Sequence, residues 1–161
     1  MCMKHHAFRL GPNADWNTHT VLNACPQQQK MNAGVWLGLE NKTAKWADRF
    51  EVIWIVCGPV CYNGTPKRMI GDPGEMKIAV PHAFFKIVIK DKSGGSGFDV
   101  LAFLFPQKGV GNYSSRNHDL RPYVTSIDTI EALTGLDFLT DLDDGEEEAL
   151  ESVVHFEIWP E

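Results

Sequence analysis

Asn32, Trp36 and Glu40 are spaced by four residues, and a polar cluster, Asn23-Ala24-Cys25-Pro26-Gln27, lies just ahead of them. On a helix that spacing stacks an amide and a carboxylate on neighbouring rungs of one face, two turns apart. Such a pair can share one hydrated divalent ion. One group ligates directly and the other holds a metal-bound water, because Mg2+ keeps several waters and takes few protein ligands. An exposed Asn and Glu on a helix are most often solvated surface, and spacing alone is a weak signal for the ion. Other candidates are weaker. Cys57 and Cys61 form C-x3-C with no second pair at zinc spacing, so they read as small apolar residues at a strand end. Ser93-Gly94-Gly95-Ser96-Gly97 is followed by no Gly-Lys-Ser/Thr, so it reads as a hairpin loop and not a phosphate cradle.

The elements that must position the cluster follow from periodicity. From about Gln28 to Phe50 the apolar residues Val35, Trp36, Leu39, Trp46 and Phe50 recur at mixed three- and four-residue spacings with no proline, which predicts a long amphipathic helix. Residues 1–25 read as irregular, with a turn at Gly11-Pro12-Asn13 and an extended approach through Trp16–Leu22. Glu51–Cys57 is nearly all apolar, the pattern of a strand buried on both faces and stopped by Gly58-Pro59. Residues 61–77 read as a surface loop, Met76–Val80 as a short strand, and Phe84–Lys90 and Asp99–Pro106 as strands joined by the glycine-rich hairpin. Residues 107–121 read as a polar loop. Ser126, the run Ile130–Thr134 and Gly135 supply cap, short helix and terminator; Asp143–Glu151 reads as a second acidic helix or a solvated tail. The order predicts an α+β fold with mostly antiparallel pairing. It forms one domain over 1–161 with an acidic tail over 140–161.

The chain has 161 residues, 43% of them hydrophobic and 22% charged, which excludes a wholly disordered chain or a disulfide-dense miniprotein. No stretch approaches the roughly 18 apolar residues of a membrane span, so no membrane partner is expected. The formal charge of −6 hides a division. Residues 1–121 carry all 15 basic side chains and a balance of +6, whereas residues 122–161 carry 12 acidic ones and no Lys or Arg. A basic body can meet a polyanion, and an acidic tail can tune that meeting. Lys67, Arg68, Lys77, Lys90, Lys92, Arg116 and Arg121 are candidate phosphate contacts or solvated loop charges. Trp36 and Trp46 at helical spacing read as core in preference to base-stacking platforms.

The run from Trp16 through Gln27, then Asn32, Gly34, Trp36, Leu39-Glu40, Trp46-Ala47 and Gly58-Pro59, closely resembles the DNA/RNA non-specific endonuclease family. These are ββα-metal, or His-Me finger, nucleases, a group that includes endonuclease G-like enzymes. The resemblance continues through Val80-Pro81, Phe84-Phe85-Lys86, Ala102-Phe103 and Ile130–Phe138. It implies an antiparallel sheet with a long active-site helix and hydrolysis of phosphodiester bonds in DNA and RNA with one Mg2+ or Mn2+. It further implies Asn32 as the direct metal ligand, Glu40 as the residue orienting a metal-bound water, and Asn23 as a support for the catalytic geometry. Gln27 and Lys30 fall where nucleic acid would lie.

The family's general base is the His of an Asp-Arg-Gly-His motif, and no such motif occurs in these residues. Counting back from Asn23 reaches the first residues, so the chain is expected to be the later part of a longer enzyme, impaired as it stands. His5, His6 and His19 are poor replacements, because a general base must sit within hydrogen-bond reach of the attacking water. The other reading is a non-catalytic nucleic-acid- or protein-binding remnant. The N-terminal strands normally cover part of the sheet, so an exposed apolar edge and self-association, a homodimer included, are expected. Residues 1–6 contain no apolar leader; if one was lost with the N-terminus, secretion or the periplasm is the expected location.

Overall fold

The computed structural model describes residues 11–20, 23–108 and 118–161. His5, His6, Leu22 and Arg116, considered above, lie outside them. An antiparallel four-stranded sheet forms the frame, with strand order β1-β4-β5-β6. Its strands are β1 (Trp54–Val60), β4 (Ala83–Asp91), β5 (Phe98–Pro106) and β6 (Val124–Thr125), and β2 (Arg68–Ile70) pairs with β3 (Ile78–Val80) as a separate ribbon. The helices are α1 (Pro12–Thr18), α2 (Leu37–Phe50), α3 (Ile127–Thr134) and α4 (Asp144–Glu151). The expected α+β class with antiparallel pairing is present.

β4 is the centre because, Lys86 and Lys90 apart, its residues are apolar on both faces, and all but Asp91 are buried. Phe84 and Val88 point to one side, with Leu101, Phe103 and Phe105 of β5, and meet Met31, Val35, Trp36, Leu39 and Trp46 of the helical stretch. Phe85, Ile87 and Ile89 point to the other, with Val100 and Ala102, and meet Ile127 and Ile130 of α3. Helices therefore cover both faces of the sheet. Ser126 caps α3 by accepting from the Thr129 N–H at 3.2 Å, and Gly135 ends it with φ 70°, as their types demand.

Several expectations change. Trp16–Thr18 is helical and not part of an extended approach: Pro12 at the first helical position starts α1, since its missing N–H is unneeded there and its φ is already helical. The strand after α2 begins at Trp54, runs through Gly58-Pro59, and is exposed over much of its length. It is an edge strand, where a proline lacking a ladder N–H is tolerated. Gly58 is required there, because a Cβ would stand 2.9 Å from the Phe85 ring. Trp54, Ile55 and Val56 consequently form an exposed apolar edge. The 61–77 loop contains β2, and the third short strand begins at Ile78, not Met76.

The acidic end is tied to α2. Trp159 accepts the Trp46 indole N–H on its carbonyl at 3.1 Å and packs edge-on against Trp46 and Phe50. Glu161 is bound by Lys42 and Lys45, and its carbonyl by Arg49. Hydrogen bonds from Lys42 and Lys45 hold the Glu161 carboxyl at about 2, well below its ordinary range. A carboxylate depressed in the folded state stabilises the fold above its unfolded pKa of roughly 4 and loses that contribution as pH falls toward 2. The melting temperature of the parent should exceed that of Glu161→Gln slightly near neutral pH, and the difference should vanish between about pH 4 and pH 2. A gap that persists at pH 2 in a thermal-melt series would contradict this origin.

Candidate active site

The backbone does not enter α2 as a uniform helix. One α-helical turn, Gln29–Met31, passes into a π-helical turn, Asn32–Trp36, before α2 proper begins at Leu37. The Leu37 N–H reaches back to the Asn32 carbonyl, five residues earlier. Bulges of this kind are rare and collect at functional sites. Four-residue spacing therefore does not put all three candidates on one face. Asn32 is exposed, Trp36 is fully buried, and Glu40 is half-buried.

Trp36 and Glu40 are brought together. The Trp36 Nε1–H donates to Glu40 Oε1 at 3.1 Å, while the ring packs edge-on against Phe84 and Phe105, each with its centroid 5.8 Å away. Lys86, on the helix-facing side of β4, lays its Nζ 4.3 Å from the centre of the same ring. Its residue is only 3% exposed. Burial pulls the Lys86 ammonium below its ordinary pKa, and the negative charge of Glu40 beside it opposes that pull, as does Cys57. A buried lysine over an indole face is a cation–π arrangement, and the charge of Glu40 beside it favours the ammonium form.

Asn23 lies on the approach to this helix, half-buried, with its Nδ2–H donating to the Thr18 carbonyl at the end of α1 at 3.1 Å. The following segment is fixed by one buried amide, Gln107. Its Nε2 donates to the Pro26 carbonyl at 2.8 Å, and its Oε1 accepts from the Gln28 N–H at 2.6 Å. Gln27, held between those two residues, lines a cavity of about 370 Å³ together with Lys67, Arg68, Gln107 and Lys108. Gln27 Nε2 is buried there without a hydrogen-bond partner among the described residues. The three cations that line the cavity, Lys67, Arg68 and Lys108, suit a phosphate group. Lys30, two residues before Asn32, is exposed.

Other basic candidates are otherwise engaged. Lys90 is buried under Phe50 and Trp159 and paired with Asp99, so it faces no phosphate. Lys77 donates to the carbonyls of Gly71 and Asp72 within its own loop, and Arg121 forms a two-pronged pair with Asp119. His19 is exposed near the end of α1. Cys25 is half-buried, its thiol pushed up by burial and by Cys61, which makes it a poor nucleophile. Gln107 and Lys108 went unremarked in the sequence, and Lys86 stood there only as part of the Phe84-Phe85-Lys86 run. Lys86 did leave a signal, a cation alternating with Phe84 and Val88 on the strand face that also carries Lys90.

A sequence profile described as DNA/RNA non-specific endonuclease matches residues 4–145. Among curated proteins, a nuclease of Nostoc sp. is 32% identical over 144 residues, which cover 85% of this chain and 48% of that protein. A nuclease of Serratia marcescens is 29% identical over 86% of this chain and 50% of its own length. The mitochondrial nuclease EXOG of Mus musculus is 30% identical over 78% of this chain and 35% of its own. The chain thus spans about half the length, or less, of the curated relatives it matches.

Glu40 and Lys86 should be energetically coupled. In a double-mutant cycle of Glu40→Gln and Lys86→Met, urea unfolding should give a coupling of about 1 kcal/mol, each single change being worse than expected from the pair. Strict additivity would show that the two charges do not support one another.

Proposed function

The chain belongs to the DNA/RNA non-specific endonuclease family, and from that premise we propose that it carries the metal-binding side of an endonuclease acting on DNA and RNA. The observation that supports the proposal is an exposed amide, Asn32, at the head of a π turn, followed eight residues later by a half-buried carboxylate, Glu40, whose Oε1 is fixed by Trp36. One amide oxygen and one carboxylate are hard donors, few in number, and that set fits Mg2+ or Mn2+, which retain most of their own waters. Asn32 would hold the ion directly. The chemistry such an ion supplies is neutralisation of the charge that develops on the phosphate and on the leaving 3′ oxygen.

The remaining work belongs to side chains of this chain. Trp36 keeps Glu40 pointed, so that it can orient water by accepting its hydrogen bond. Asn23 braces the approach through its bond to Thr18. Gln27, Lys30, Lys67, Arg68 and Lys108 meet phosphate oxygens on either side of the scissile bond and position the strand without reading its bases. Hydrolysis also needs a group that takes the proton of the attacking water. The 161 residues contain no Asp-Arg-Gly-His, so on this reading they hydrolyse slowly or not at all by themselves.

Plasmid DNA and a single-stranded RNA, incubated with Mg2+ or Mn2+, test this reading. A version preceded by an Asp-Arg-Gly-His segment should cleave both far faster than the chain alone. In that version Asn32→Ala should lose at least about 100-fold in rate together with metal affinity, and Glu40→Ala or Asn23→Ala a large part of the rate. Changing Lys67 and Arg68 together to Ser should mainly raise KM. Full activity and metal affinity in Asn32→Ala would refute the site; salt-dependent binding with no cleavage by any version would favour a non-catalytic nucleic-acid-binding module.

The exposed edge of β1 supports a second proposal, that two copies associate through it as a homodimer. Sedimentation at rising concentration should show a dimer that Ile55→Lys dissociates, and a parent that stays monomeric throughout would remove the idea.

A further inference from the structure

On the face of the sheet opposite α2, three carboxylates converge. Asp128 and Glu131 stand on α3 and Glu151 on α4, and one oxygen of each lies within 4.8 Å of the other two. Exposed acidic groups often cluster without consequence, but Glu151 is not exposed. Its residue is 6% accessible, and its Oε1 is buried with no hydrogen-bond partner among the described residues. A buried, unpartnered carboxylate oxygen costs free energy that folded proteins rarely leave uncompensated.

Its placement makes the cost larger. Glu151 is the last residue of α4, where the carbonyl end of the helix repels negative charge. Among the described residues no Lys or Arg forms an ion pair with any of the three, and residues 122–161 contain no basic side chain apart from histidine. Burial, and then the charges of Glu131, Glu147, Asp128 and Asp137, push the Glu151 carboxyl up to about 7. What is missing is a positive charge that accepts oxygen ligands from two helices at once.

We propose that Asp128, Glu131 and Glu151 form a calcium site that fastens α4 to α3. Calcium takes six to eight oxygens at roughly 2.3–2.6 Å, so ligands on opposite sides of the ion stand up to about 5 Å apart, and it tolerates irregular carboxylate sets. Magnesium requires shorter octahedral bonds and is rarely held by a cage of three carboxylates. Glu131 is already oriented, since its Oε1 accepts the Phe138 N–H at 2.7 Å, an outer contact that fixes the carboxylate for a ligand. The site is separate from Asn32, because Ile127 and Ile130 seat α3 on the face of β4 that α2 does not touch. Its role is structural: it neutralises part of the acidic end and docks α4.

Calorimetric titration of the full chain with calcium chloride tests the proposal, in an Asn32→Ala background so that the other metal position is not counted. One calcium per chain is expected, with Kd on the order of 10⁻⁵–10⁻³ M, together with a rise of several degrees in melting temperature. Glu151→Gln and Asp128→Asn should each weaken binding at least tenfold and abolish that rise. Without calcium, Glu151→Gln should melt no lower than the parent, since it removes a buried repulsion; a simple packing role would lower it. No binding at millimolar calcium, unchanged affinity in Glu151→Gln, or magnesium binding as tight as calcium would each overturn the assignment.

Discussion

One indole, that of Trp36, sets the arrangement on which the site depends. Its ring is wedged edge-on between Phe84 and Phe105, so the start of the helix cannot move relative to β4 and β5 without opening the core. Its Nε1–H fixes Glu40, and its face carries the Lys86 ammonium. Packing, hydrogen bonding and charge therefore meet on a single side chain. The π turn is the geometric cost: it lets Trp36 point into the core while Asn32, one turn earlier, stays in solvent. A regular helix with the same residues would have tied the two orientations together.

Most of the frame could be read from the sequence, because it rests on local and periodic signals. The β4–β5 hairpin was visible as two apolar runs around a glycine-rich turn, and α3 as a Ser126 cap and Gly135 terminator, both of which act within a few residues. Burial of Trp36 and Trp46 followed from helical spacing. What escaped depends on partners distant in sequence. Glu51–Cys57 looked doubly buried because apolar composition cannot say whether a neighbouring layer exists; β1 lies at an edge and continues through Pro59. Lys90 looked like a surface cation, yet Asp99, Phe50 and Trp159 enclose it.

The candidate site divides along the same line. Asn32 and Glu40 were legible as residue types at a suggestive spacing, and the family resemblance gave them roles. The π turn that separates their environments was not, since nothing in Asn32–Trp36 announces an extra residue per turn. Gln107 is a sharper case: an amide in a polar stretch, about 80 residues from Pro26 and Gln28, carries the bonds that hold Gln27 at the cavity. Only the fold makes those residues neighbours.

The contacts of Glu161 change what the basic body offers to its surroundings. Lys42, Lys45 and Arg49 on the outer face of α2 are already occupied by an internal carboxylate and carbonyl, whereas Lys67, Arg68 and Lys108 line an open cavity on the side of the site. A polyanion gains free energy by releasing the small ions condensed along it, and only cations without an internal partner can take their place. The count of lysines and arginines thus overstates the number of ions that binding can set free. The molecule behaves as a lopsided electrode, partly neutralised along the back of the helix and uncompensated at the cavity, so long-range attraction turns the cavity toward an approaching strand before any contact forms.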